Sequence, residues 1–81
     1  MKDQQQILTE LNNLFRQVFK DGRMQVTLAT TADDVRGWDS LTHMALIAQV
    51  EEHFGTEFTF SEVMNFRNVG DMVATLHNKI N

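Results

Sequence analysis

A chain of 81 residues with a net charge of −4 has room for one small hydrophobic core, so a single domain spanning residues 1–81 is expected. Its 42% apolar content argues against wholesale disorder, its acidity disfavours nucleic acid, which needs a basic footprint, and no apolar run is long enough to cross a bilayer. The absence of cysteine excludes disulfides and Cys-based zinc sites, so any thiol chemistry must come from an attached group.

Residues 1–6 lack the apolar segment of a secretory signal, which makes the cytoplasm the expected compartment. Asp3 and Gln6 have the spacing of a capping box. Ile7, Leu11, Leu14, Phe15 and Val18 then recur at three- and four-residue steps, widened by Leu8 and Phe19. This spacing predicts a first helix over residues 4–20, ending through Lys20 with Gly22 just beyond. Glu10, Asn12, Asn13, Arg16 and Gln17 fall on its polar side.

Residues 21–39 read as a long connection. The alternation from Met24 to Leu28 is strand-like, but one short strand has nothing to pair with. Val26 and Leu28 are expected to pin the connection to the helices, and Thr31, Asp33 and Asp34 to seed a short turn. Trp38, the sole tryptophan, is expected to pack the end of the connection against the domain, with its ring close enough to flank Ser40.

Gly37-Trp38-Asp39-Ser40-Leu41 opens a second helix over residues 41–54, with Gly55 as its stop. Asp39 and Ser40 are both N-cap residue types, so the Ser40 hydroxyl should stand at a helix mouth, where the dipole favours negative charge. At 100° per residue Leu46, Ile47, Val50 and Phe54 share one side, while Leu41, Met44, Ala45 and Ala48 lie nearly opposite. A helix apolar on two faces is either sandwiched or offers one face to a partner. Thr59 and Glu62 form the capping box of a short third helix, residues 60–66, with Phe60, Val63, Met64 and Phe66 as its apolar residues. Asn68 caps a fourth, whose stripe is Val69, Met72, Val73, Leu76 and Ile80; Gly70 should weaken it by about 1 kcal/mol relative to alanine. The sum is an all-α bundle of three main helices and one short one.

Few residues suit chemistry. Ser40 as a nucleophile would need a base and an orienting group; His43 is the only nearby candidate and no third member is evident. His43, His53 and His77 are too scattered for a metal set, so no metal is expected. Glu51 and Glu52 are adjacent on a helix and point apart, which suits a charged patch better than an acid–base pair. Acidic groups concentrate between residues 33 and 71, eight against Arg36 and Arg67, and favour a partner with a basic surface.

The Asp39-Ser40-Leu41 triplet, together with Asp34, Gly37, Glu51, Glu52, Phe54 and Gly55, resembles the acyl carrier protein family over most of the chain. The resemblance implies a four-helix fold with a long first loop and no catalysis by the chain itself. It implies that Ser40, flanked by Asp39, carries 4′-phosphopantetheine as a phosphodiester, attached from coenzyme A by a phosphopantetheinyl transferase. The arm's thiol would hold acyl groups as thioesters for acyl-loading and acyl-transfer enzymes. Those partners would read Leu41, Met44, Ala45, Ala48, Glu51 and Glu52, with the carrier as a monomer. Two departures stand out. Thr42 and Ala45 occupy positions that are acidic in carriers of fatty acid synthesis, and Trp38 replaces a smaller residue. Both point toward a specialised polyketide, lipid-modifying or surface-polysaccharide pathway at least as much as to fatty acid synthesis. The alternatives are an unmodified helical adaptor and an aminoacyl or peptidyl carrier; Asp39 before the serine favours the acyl class over the latter.

Overall fold

The computed structural model describes residues 1–81 and is entirely helical. In chain order it has α1 (Gln4–Val18), a short 3-10 turn (Ala32–Asp34), α2 (Ser40–Phe54), α3 (Phe60–Asn65) and α4 (Val69–Ile80). Each α-helix begins at a side-chain cap, because the first amides of a helix have no partner within it. Asp3 accepts from Gln6 N–H, Asp39 from Thr42, Thr59 from Glu62 and Asn68 from Asp71. The 3-10 turn carries the reciprocal pair Thr31–Asp34.

α1 packs against both α2 and α4. Its Ile7, Leu11, Leu14 and Phe15 meet Leu46, Ile47 and Val50 of α2, Val63 of α3, and Val69, Met72, Val73 and Leu76 of α4 in one buried cluster. The stripes expected from helical periodicity are therefore largely the ones buried, with Leu8, Val18, Phe54 and Ile80 only partly covered.

α1 stops two residues short of the expected end. Lys20, not Gly22, takes the left-handed position (φ 55°), and Asp21 N–H returns to the Arg16 carbonyl at 3.1 Å in the pattern of a Schellman stop. Phe19 turns inward as a result and stacks on Phe15 at 5.8 Å between ring centroids. α2 begins one residue early, at Ser40, because Asp39 alone is the cap; at its far end Gly55 is left-handed as expected (φ 65°).

The long connection contains no strand. Val26 is buried, but Leu28 is exposed and pins the connection through its backbone rather than its side chain. The carbonyls of Leu28 and Thr30 accept from Gly70 and Val69 N–H at 2.8 and 2.9 Å, which satisfies two unpaired amides of α4's first turn. Gly70 is thus more than a weak point: a Cβ there would lie 2.8 Å from the Leu28 carbonyl oxygen. Asn12, expected on the polar side of α1, is buried and clamps the same connection. Its amide group donates to the Val26 carbonyl (3.1 Å) and its oxygen accepts from Val26 N–H (2.7 Å). Arg16 Nε adds a bond to the Met24 carbonyl at 2.7 Å. These bonds hold an extended segment against helices without any sheet, and they deliver its far end, Gly37–Asp39, to the mouth of α2.

Candidate functional site

The mouth of α2 is built by a reciprocal pair. Asp39 Oδ1 accepts from Thr42 N–H at 3.0 Å, and Thr42 Oγ1 accepts from Asp39 N–H at 2.8 Å. Thr42 Oγ1 also donates to the Gly37 carbonyl at 2.7 Å, which ties the incoming loop to the first turn. The bond from Thr42 N–H, followed by the Thr42 side chain, holds the Asp39 carboxyl below its ordinary value of 3.8. Asp39 is therefore ionised at neutral pH and already spent on the cap. Ser40, the next residue, is exposed, and the capping role it could have played is taken.

Ser40 stands at the rim of an apolar groove of about 550 Å³, within the usual range for small-molecule sites. Trp38, His43 and Met44 line it from the loop end and α2; Phe60, Val63, Met64 and Phe66 line it from α3 and its exit; Arg67 and Asn68 close it. Phe60 and Met64 are 78% and 62% exposed, an expensive arrangement for a helix of six residues unless it meets an apolar group. The sequence marks Phe60 and Met64 only as apolar residues of a short helix; the structure places both on this groove. The available signal was crowding: a six-residue helix cannot bury Phe60, Val63 and Met64 on one face, so part of the set had to point elsewhere.

Trp38 does both things expected of it. Its ring meets Phe15 edge-on at 5.1 Å and lies near Phe19, yet it also lines the groove beside Ser40. Its indole N–H donates to His43 Nδ1 at 3.0 Å, and His43 Nε2 lies 3.1 Å from the Val63 carbonyl. Because Nδ1 accepts, Nε2 carries the proton and donates. Both ring nitrogens are engaged, so His43 is not a base for Ser40, and no nucleophilic pair exists at this site.

The second stripe of α2 is free. Leu41 is 84% exposed and Met44 52%, and Ala45 and Ala48 are exposed between them. Glu52 is exposed at the end of the stripe, but Glu51 is half-buried and accepts from Phe58 N–H at 2.8 Å, fastening the turn that leads to α3. Glu51 is thus part of the frame as well as of the acidic surface. No helix is long and apolar enough to cross a membrane, and no His/Cys/Asp/Glu group has the arrangement of a metal site.

Residues 9–76 match the sequence pattern of the family described as phosphopantetheine attachment site. The chain belongs to that family. It is a carrier of a covalently held 4′-phosphopantetheine group rather than a catalyst. Among solved structures, a holo acyl carrier protein from Geobacter metallireducens, determined by solution NMR, is similar to this carrier at 40% identity. The match covers 90% of this chain and 84% of that one, with a TM-score of 0.85. Comparison with curated proteins returns no match. The chemistry of the site suits the group: an exposed primary hydroxyl on the first residue of a 15-residue helix, and an apolar groove beside it. A phosphodiester at that end of α2 would meet the positive end of the helix dipole.

Proposed function

We propose that this carrier bears 4′-phosphopantetheine on Ser40 and delivers acyl groups to enzymes of fatty acid synthesis or, at least as well, of a specialised polyketide, lipid-modifying or surface-polysaccharide pathway. The observation that carries the reading is the position of the Ser40 hydroxyl. It is exposed on the first residue of α2, relieved of capping by Asp39, and on the rim of an apolar groove at the helix mouth.

In the attachment step, promoted by a phosphopantetheinyl transferase, Ser40 Oγ attacks the phosphorus of coenzyme A that bears the pantetheine arm. The hydroxyl proton passes to the transferase, the phosphodiester forms, and the pyrophosphate bond breaks to release the adenine nucleotide half. When attached, the arm supplies a thiol that holds an acyl group as a thioester. The chain's own contribution is presentation. Thr42 and Asp39 fix the helix mouth, so the arm starts from a defined point. Tethering then makes each transfer effectively intramolecular at the partner's active site.

Leu41, Met44, Ala45 and Ala48 form the apolar strip that a partner grips, with Asp39 and Glu52, and the remaining charge of Glu51, facing its basic groups. A small interface of this kind releases readily, as a shuttle requires. The specialised pathway is supported by the helix-mouth chemistry. Thr42, at a position that is acidic in carriers of fatty acid synthesis, has its hydroxyl committed to Gly37 and Asp39, and Ala45 adds no charge.

The test is incubation of the purified protein with coenzyme A and a broad-specificity phosphopantetheinyl transferase, read by intact mass. A gain of one phosphopantetheinyl group in the parent and none in Ser40→Ala is expected. No gain in the parent makes the chain an unmodified adaptor, and a gain that survives Ser40→Ala moves the attachment point elsewhere. The intact mass of protein from its native host then separates an acyl cargo from an aminoacyl one.

A further inference from the structure

His43 stands one turn before Leu46 and Ile47, at spacings that put all three on one side of α2. Leu46 and Ile47 are sealed in the core, at 0% and 3% exposure, whereas His43 is half-buried at the surface of that core and lines the groove. Its ring is held from both ends. Trp38, itself wedged on Phe15 and Phe19, donates to Nδ1 with its ring plane 25° from that of the imidazole; Nε2–H donates to the Val63 carbonyl on α3. That carbonyl belongs to the last turn of a six-residue helix and has no partner within it, so the His43 bond is the one that satisfies it. The chain of bonds Trp38–His43–Val63 thus runs from the loop, across α2, to α3.

We propose that this chain of bonds is a bar between the groove and the bundle interior, and that His43 is the specificity-determining residue that keeps an arm-borne apolar group in the groove. The inference rests on the carrier reading above. An apolar chain pushing past His43 would leave the Trp38 indole N–H and the Val63 carbonyl without partners in an apolar setting, and it would offer neither a replacement. Within the groove the same chain meets Met44, Phe60, Met64 and Phe66 without breaking a bond. Met44 and Met64 supply flexible, polarizable contact that suits guests of differing shape. The cargo class that fits is a short, branched or ring-bearing apolar acyl group. A long straight chain would find no interior to enter, and its far end would remain in solvent.

The experiment uses apo protein to which a broad-specificity phosphopantetheinyl transferase adds the acyl-phosphopantetheine arm at Ser40 from acetyl-, octanoyl- or dodecanoyl-coenzyme A, releasing the adenine nucleotide half. Three readouts apply: the rate of thioester cleavage by hydroxylamine, the NMR resonance of the Trp38 indole N–H, and contacts from a labelled acyl chain to protein methyl groups. In the parent, cleavage is expected to be nearly independent of chain length, the indole resonance to stay in place, and contacts to reach Met44 and Met64 but not Leu46 or Leu76. In His43→Ala, cleavage of the dodecanoyl thioester is expected to slow several-fold relative to acetyl, while His43→Gln, which can still donate and accept, restores the parent pattern. A merely structural role for His43 would lower the stability of every loaded form alike and leave the chain-length dependence unchanged. Strong protection of the dodecanoyl thioester in the parent, with contacts to Leu46 or Leu76, overturns the bar. The parent measurements decide the matter even if His43→Ala fails to fold. Failure to load Ser40 at all overturns the carrier reading instead.

Discussion

Gly70→Ala separates a local rule from a tertiary one, because the two differ in sign. Helix propensity alone makes the substitution stabilising by at most about 1 kcal/mol. In the folded chain the new Cβ would sit 2.8 Å from the Leu28 carbonyl oxygen, a backbone atom that has no rotamer to yield. Relief requires the 28–30 segment to withdraw from α4, which lengthens or breaks the bonds Gly70 N–H to Leu28 and Val69 N–H to Thr30. Each such bond contributes about 0.5–1.5 kcal/mol, and overpacking typically adds about 1–3 kcal/mol. Losses of about 2–6 kcal/mol against a gain of about 1 leave a net destabilisation of about 1–5 kcal/mol. For a domain of this size each kcal/mol lowers Tm by about 4–8 °C. Thermal unfolding followed by circular dichroism, with urea titration to obtain the free energy, measures the effect. Gly22→Ala, where no atom lies within 4 Å of the added Cβ, is the control and should shift stability little. A Tm for Gly70→Ala equal to or above that of the parent would refute the close approach between the loop and α4.

Acid should destabilise the fold. The Glu62 carboxyl is held below its ordinary value of 4.5, chiefly by the Thr59 backbone N–H and then by Lys79, and Glu10 is lowered chiefly by its hydrogen bond to Lys2 and also by His53. A depressed folded-state value contributes stability that is present above the unfolded value and is lost as pH falls through the folded one. Stability is therefore expected to decline from about pH 4.5 downward, and Glu62→Gln should flatten that decline; urea midpoints at a series of pH values check it, and an unchanged acid limb would count against the Thr59–Glu62–Lys79 arrangement. Met44→Glu should leave Tm nearly unchanged, since the side chain is half exposed, yet impair transfer to a partner enzyme. Normal transfer with every partner tested would remove Met44 from the docking strip.

What could be read in the chain before folding was whatever depends on residues a turn or two apart. The buried stripes of α1, α2 and α4 followed from a period of 3.6 residues, and the caps Asp3, Asp39, Thr59 and Asn68 from side chains that reach amides three residues ahead. The second stripe of α2 was equally legible, because four apolar residues at helical spacing cannot share a core already filled by Leu46, Ile47 and Val50. The hydroxyl of Ser40 followed the same logic: a residue beside a cap stands at a helix mouth wherever the helix goes.

Only the folded chain decided which groups distant in sequence would pair. Asn12 looks like a surface residue until Val26 arrives with an unpaired N–H and C=O, and Glu51 looks like free charge until the Phe58 amide needs an acceptor. Gly70 is a defect by helix propensity and a necessity once Leu28 lies against it. The groove beside Ser40 and the bonds of His43 across it join residues 38, 43 and 63. Periodicity reports which way a side chain faces. Which buried donor finds which acceptor is settled when helices and loop are brought together, because each polar group that loses water must take the partner within reach.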